Sequence, residues 1–186
     1  MTDVLDGVRD HYRASGLTER TGQGGKVAFR VASALELPFD DASFDVVLLQ
    51  HVAMNIADRI RLYGEIRRVL GPRGRFATYD IVLKAGEPHY PVPWARTAAI
   101  SVLLSEAETR SAIESAGFRA LTWRDDSEAA KGWFAGLRAA GPLPSPNLGV
   151  VMGPDFAQLT ANLGRNLQEG RLGVLTAVFE PTDTSS

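Results

Sequence analysis

The chain has 186 residues, 45% of them hydrophobic, with a formal net charge of -2 and a pI near 5.9. That length buries an ordinary core in one domain, and that charge excludes a nucleic-acid binder built on a basic face. With 0 Cys, disulfides, thiolate zinc sites and cysteine nucleophiles are excluded too.

The opening residues MTDVLDGVRDHY contain no apolar core of a signal peptide, and no apolar run approaches the span of about 20 residues that a membrane helix needs. A cytoplasmic protein with no membrane and no nucleic-acid partner is the expectation. Within Thr2 to Ala14, Val4, Leu5, Val8 and Tyr12 fall at helical spacing, which predicts a short amphipathic helix. Ser15 to Lys26, with Gly16, Gly22, Gly24 and Gly25, reads as a loop. Lys26 to Val31 alternates like a strand, Pro38 to Ser43 is a turn, and Phe44 to Leu49 is a continuous apolar run of the kind found in buried parallel strands.

From Asn55 to Leu70 the pattern turns helical, with Leu62, Ile66, Val69 and Leu70 on one face, and Gly71-Pro72-Arg73-Gly74 stops it. Arg75 to Leu83 is the next strand. Lys84 to Arg96 carries three prolines with His89, Tyr90 and Trp94, and reads as a loop. Ser105 and Glu108 stand three apart as a capping box for a helix that runs to Ala116 and ends at Gly117. Phe118 to Trp123 is a strand, Ser127 to Ala139 and Asp155 to Leu167 are helices, and Leu172 to Glu180 is a closing strand. The order strand, strand, helix, strand, helix, strand, helices, strand is an alternating α/β chain.

The stretch VASALELPFDDASFDVVLLQHVAMNI, Val31 to Ile56, contains two strand ends joined by an acidic connector. Ligands in open α/β sheets bind outside the carboxyl ends of strands, so part of a ligand site is expected here. No G-x-S-x-G turn of a serine hydrolase is present, and no glycine fingerprint of a nicotinamide enzyme follows a strand. His11, His51 and His89 show no metal-ligand spacing, so no metal is expected. Asp40-Asp41 and Asp125-Asp126 read as solvated turn residues, and Trp123 and Trp133 as core or interface residues.

An ordered set of segments resembles the class I S-adenosylmethionine-dependent methyltransferases, in the branch that methylates glycine derivatives and quinones. The set is Ser33-Ala34 with Leu37-Pro38-Phe39, Ser43-Phe44-Asp45-Val46-Val47, Gln50-His51-Val52-Ala53-Met54-Asn55-Ile56, Arg68-Val69-Leu70, Tyr79-Asp80, Pro91-Val92-Pro93-Trp94-Ala95 and Ala116-Gly117-Phe118. The resemblance covers Val27 to Trp133. It implies an incomplete Rossmann-like α/β sheet of about five strands, mostly parallel with an antiparallel late strand, flanked by helices. It divides the chain into an N-terminal helix and connector, 1–21, and a methyltransferase-like domain, 22–186.

The family's first strand ends in a glycine-rich loop and its second in an acidic residue that holds ribose hydroxyls. Neither element is found here: Gly22-Gln23-Gly24-Gly25 follows no strand and leads into one. The segment before it resembles the family's extreme N-terminus and the segment after it the approach to the third strand, so an internal segment carrying two strands is expected to be lost.

The resemblance further implies S-adenosylmethionine as cofactor and a small-molecule methyl acceptor, and leaves a homo-oligomer open. Ser33, Ala34 and Leu35 would meet the adenine, though Ser33 serves equally to cap its turn. Gln50 would contact cofactor or acceptor, and His51 would take the acceptor's proton or hold the start of a helix through backbone bonds. Asn55, Tyr90 and Trp94 would line the acceptor side, with helix capping open for Asn55 and packing on the sheet edge open for Trp94. Methyl transfer from a sulfonium is an in-line displacement that needs positioning and a dry pocket but no covalent nucleophile. The alternative implied by the missing strands is a catalytically silent methyltransferase-like domain that acts through protein association.

Overall fold

The computed structural model describes residues 26–140 and 152–182. The chain divides into two compact units, Met1–Pro38 and Phe39–Ser186. The amphipathic helix expected at Thr2 to Ala14 lies outside the described residues, as do most of the glycine-bearing loop and most of the linker after Ala140.

In the first unit the strand expected over Lys26 to Val31 is not formed. The segment is irregular, and Val27 and Val31 are exposed. Alternation alone does not make a strand, because its N–H and C=O groups need a neighbouring ladder, and no ladder runs along this segment among the described residues. A tight turn follows, in which the Glu36 N–H donates to the Ser33 carbonyl at 3.1 Å.

The second unit is built on one sheet. Among the described residues it contains, in chain order, β1 (Phe44–Gln50), a 3-10 turn (Ala53–Asn55), α1 (Arg59–Val69), β2 (Leu70–Leu83), a second 3-10 turn (Ala98–Ile100), α2 (Glu106–Ser115), β3 (Phe118–Asp125), α3 (Ser127–Ala140), α4 (Phe156–Gln168) and β4 (Leu172–Pro181). The strand order is β1-β2-β4-β3, with β1 parallel to β2, and β4 antiparallel to both β2 and β3. This is the expected sheet with a late antiparallel strand, holding four strands among the described residues where about five were expected. The difference is the segment at Lys26 to Val31.

Local chemistry explains the element boundaries. Helix α1 starts later than the apolar pattern suggests because Asp58 caps it, accepting the Arg61 N–H at 2.9 Å. The expected break at Gly71 to Gly74 is instead the opening of β2, where the register against β1 jumps from Phe44↔Leu70 to Val46↔Arg75. Gly74 is required there: a Cβ would stand 2.6 Å from the Leu70 side chain and 3.0 Å from the Asp45 carbonyl oxygen. Helix α2 has the full capping box between Ser105 and Glu108 and ends at Gly117, whose φ of 85° is the left-handed exit.

Both faces of the sheet centre are covered. On one face Phe76 stacks on Phe179 with ring centres 5.6 Å apart, and Tyr63 of α1 and Phe118 complete an aromatic core. On the other, Ile81, Leu172 and Val174 pack with Leu167, Phe134 and Leu163 of the α3–α4 pair. Gly164 lets these two helices meet, since Phe134 lies 3.3 Å from where its Cβ would be.

Candidate functional site

β1 ends at Gln50, and the chain leaves the sheet through His51, a non-glycine residue held at φ 53°. Positive φ in a histidine is uncommon and persists only where the surroundings fix it. Here the His51 N–H donates to the Tyr79 carbonyl at 2.9 Å, and the imidazole meets the Tyr79 ring edge-on with centres 4.9 Å apart. The residue keeps exposed surface, yet desolvation lowers the imidazole pKa from its ordinary value of 6.5. The ring is therefore neutral at pH 7 and able to accept a proton. In the parallel register Gln50 lies beside Tyr79, so Gln50, His51 and Tyr79 form one polar corner at the carboxyl end of the β1–β2 pair.

A residue noted in the sequence only as part of Tyr79-Asp80 sets this corner. Asp80 is 3% exposed. Its carboxylate accepts the Ala53 N–H at 2.9 Å and the Ile81 N–H at 2.9 Å, which ties the turn after His51 to the end of β2. Burial pushes its pKa up to about 6, against the backbone hydrogen bonds and the Arg59 charge that lower it. Arg59 is itself buried, donating to the Val102 carbonyl at 2.7 Å and to the Tyr63 hydroxyl at 3.3 Å. The sequence signal was an acid inside an otherwise apolar strand.

The other expected site residues fall in several places. Asn55 is exposed at the end of the 3-10 turn, and its amide donates to the Val52 carbonyl at 3.4 Å. It does not cap the following helix, because Asp58 does. Tyr90 lines a cavity of about 290 Å³ with Leu83, Glu87, Pro88, Ser101 and Leu103. Trp94 packs on the Met54–Ile81 core cluster and donates its indole N–H to the Ser101 hydroxyl at 3.0 Å. It also walls a second cavity of about 260 Å³. Ser101 thus joins the Tyr90 and Trp94 surfaces.

The loop carrying Tyr90 and Trp94 is pinned to α4. Asn166, 0% exposed, accepts the His89 N–H at 2.7 Å and donates to the His89 carbonyl at 2.9 Å, and Asn162 donates to the Pro91 carbonyl at 2.9 Å. Neither asparagine was singled out in the sequence, because a helical amide turned inward leaves no pattern of its own.

Ser33, Ala34 and Leu35 belong to the first unit. There the Ser33 hydroxyl accepts the Leu35 N–H at 3.2 Å, the turn-capping role that had been left open. The aspartate pair at 125 and 126 is not simply solvated. Asp125 binds Lys84 at 2.7 Å and caps α3 through the Ser127 N–H, and these contacts lower its pKa to about 2, while Asp126 holds Thr176 and Arg124. Trp123 packs edge-on against Phe179, as a core residue should.

Among the described residues no cluster of His, Asp and Glu could hold a metal ion, and no helix is long and apolar enough to cross a membrane. Asp80, the acid of β2 beside this corner, is turned inward with both oxygens occupied and is not open to a diol.

Residues 4–78 match the model of a methyltransferase domain. An O-methyltransferase, resE, from Aspergillus sclerotiorum is 33% identical over 108 residues, 55% of this chain and 40% of the relative. The methyltransferase GfsG from Streptomyces halstedii is 38% identical over 80 residues, 43% of this chain and 27% of the relative. The chain thus spans two-fifths or less of the length of these relatives. Among solved structures, geranyl diphosphate C-methyltransferase from Streptomyces coelicolor A3(2), in complex with Mg2+, geranyl diphosphate and S-adenosyl-L-homocysteine, superposes with a TM-score of 0.68 at 18% identity. That match covers 89% of this chain and 56% of the neighbour, and it shows the shared fold. Over the matched residues the chain is similar to methyltransferases, and it shares the fold of the solved methyltransferase.

Proposed function

We propose that the protein carries the acceptor side of an S-adenosylmethionine-dependent methyl transfer to a small molecule. The observation that carries this reading is the Gln50–His51–Tyr79 corner, a neutral imidazole and an open amide at the carboxyl end of a parallel strand pair, where ligands of open α/β sheets bind. Bound S-adenosylmethionine supplies a methyl group activated on its sulfonium.

The fit to that cofactor is partial among the described residues. Gln50 can bond adenine or acceptor, and Ser33, Ala34 and Leu35 are proposed for the adenine by family position, the Ser33 hydroxyl still having its proton to donate. The ribose diol finds no open carboxylate. His51 accepts the proton that a hydroxyl or amine acceptor releases, and Tyr79 and the buried Asp80 hold it in place through ring contact and the tied turn. Asn55, Tyr90 and Trp94 bound the acceptor space and exclude water from it. A cytoplasmic setting accompanies this reading.

Isothermal titration of S-adenosylmethionine into the full chain is the test. Saturable heat in the micromolar range supports the proposal, and no heat at high micromolar cofactor overturns it.

A further inference from the structure

The most unusual surface of the sheet is its first strand. Outer edges of natural sheets are protected by short strands, lysines, prolines or a covering element. Over its seven residues FDVVLLQ β1 has no lysine or proline, and among the described residues no strand covers its edge. Its sequence is that of a strand buried on both sides, yet Val46 is 60% and Leu48 63% exposed, with Phe44 also exposed on the same face. Among the described residues no strand pairs with its outer edge.

The open edge has a defined set of hydrogen-bonding groups. His51 directs its N–H to Tyr79 of β2, and backbone direction alternates along a strand, so the odd positions serve β2. The N–H and C=O groups of Phe44, Val46, Leu48 and Gln50 therefore point outward.

We propose that β1 pairs with β1 of a second copy of this chain, antiparallel about a two-fold axis at Val47, to make one continuous sheet across the dimer. The strand is self-complementary about that residue. Phe44 faces Gln50 of the second copy and Val46 faces its Leu48, and in each such pair both residues are outward-pointing, as a hydrogen-bonded antiparallel pair requires. Val46 and Leu48 then cover each other on the face where both are now bare. The one charge, Asp45, lands opposite Leu49 of the second copy, and the two Asp45 carboxylates are four positions apart along the strand, roughly 13 Å. Like charges are thus kept apart, and the contact is isologous and closes on itself. This assignment does not rest on the methyl-transfer reading, and cofactor titration leaves it untouched.

The test combines mass with register. In analytical ultracentrifugation at micromolar concentration the wild-type chain is expected to sediment as a dimer. Val46→Lys with Leu48→Lys is expected to be monomeric with an unchanged circular dichroism spectrum, since both side chains lie in solvent in the single chain. The chain has 0 Cys, so an introduced thiol is unique. Val47→Cys places two thiols on a non-hydrogen-bonded pair with Cα atoms about 4.5 Å apart, within disulfide range. It should give a disulfide-linked dimer on mild oxidation, whereas Asp45→Cys should not. A wild-type monomer across the concentration range, open-ended aggregates, or equal cross-linking of the Asp45→Cys and Val47→Cys variants overturns the proposal. Should Val47→Cys fail to fold, the sedimentation of the wild type and the lysine variant decides it.

Discussion

His51 and Asp80 act on the same turn from opposite sides of the chemistry. His51 is exposed enough to meet an acceptor, and desolvation keeps it neutral. A substitution test must respect its φ of 53°, which asparagine tolerates better than most residues. His51→Asn should therefore fold, keep cofactor binding, and lower methyl transfer by about 10²- to 10⁴-fold, the usual worth of a general base. In the wild type the acidic limb of the rate profile should lie below pH 6.5, because the base must be unprotonated and its pKa is lowered. Initial rates with labelled cofactor across pH 5 to 8 check both points. Asp80 has the opposite shift. Its folded pKa is about 6, above the ordinary 3.8, so the folded state binds the proton more tightly. Its contribution to stability is full below about pH 4 and is lost as pH rises through 6, by roughly 3 kcal/mol for a shift near two units. Asp80→Asn cannot ionise, so the wild-type-minus-variant difference in unfolding free energy should fall between pH 4 and 7 and stay level above. Denaturant titrations at several pH values in that window read it directly.

At the scale of elements, the boundaries depend on single contacts that a periodic pattern does not contain. Leu62, Ile66 and Val69 mark α1 correctly in the sequence, yet its start is set by the Asp58 carboxylate three residues beyond the expected one. The capping box of α2 is the contrary case: Ser105 and Glu108 are legible as a spacing, and both reciprocal bonds form. Ser105→Ala should cost about 1 kcal/mol. Gly117→Ala should cost about the same again, because a φ of 85° is open to glycine and strained for alanine. The two sites lie at opposite ends of one helix and share no partner, so the double variant should lose the sum within about 0.5 kcal/mol. Urea midpoints with an unchanged slope check that additivity. The segment at Lys26 to Val31 was misread because its alternation is real but no ladder runs along it among the described residues, and pairing is a property of two segments. Asn166 escaped notice for a related reason: its bonds to His89 cross 77 residues of sequence.

For the whole molecule, the same argument turns on what an incomplete sheet does with its edge. The likeness to methyltransferases was legible in the sequence because LPF, SFDVV and QHVAMNI lie in the turn before one strand, along it and at the exit after it, all fixed by local geometry. The exposure of Val46 and Leu48 was not legible, since the run Phe44 to Leu49 reads as a buried strand and only the absence of a neighbour among the described residues makes it an edge. If two such edges close on each other, folding and association are one equilibrium, and stability depends on concentration. Each tenfold rise in concentration then adds about 1.4 kcal/mol per dimer, or about 0.7 kcal/mol per chain. For a chain of this size 1 kcal/mol moves the midpoint by about 2 to 4 °C. Raising the concentration a hundredfold should therefore raise Tm by roughly 3 to 6 °C in the wild type. The Val46→Lys, Leu48→Lys variant should show the same midpoint at every concentration, because its unfolding is unimolecular. Differential scanning calorimetry between 1 and 100 μM separates the two behaviours, and a flat wild-type midpoint would leave β1 an unpaired edge.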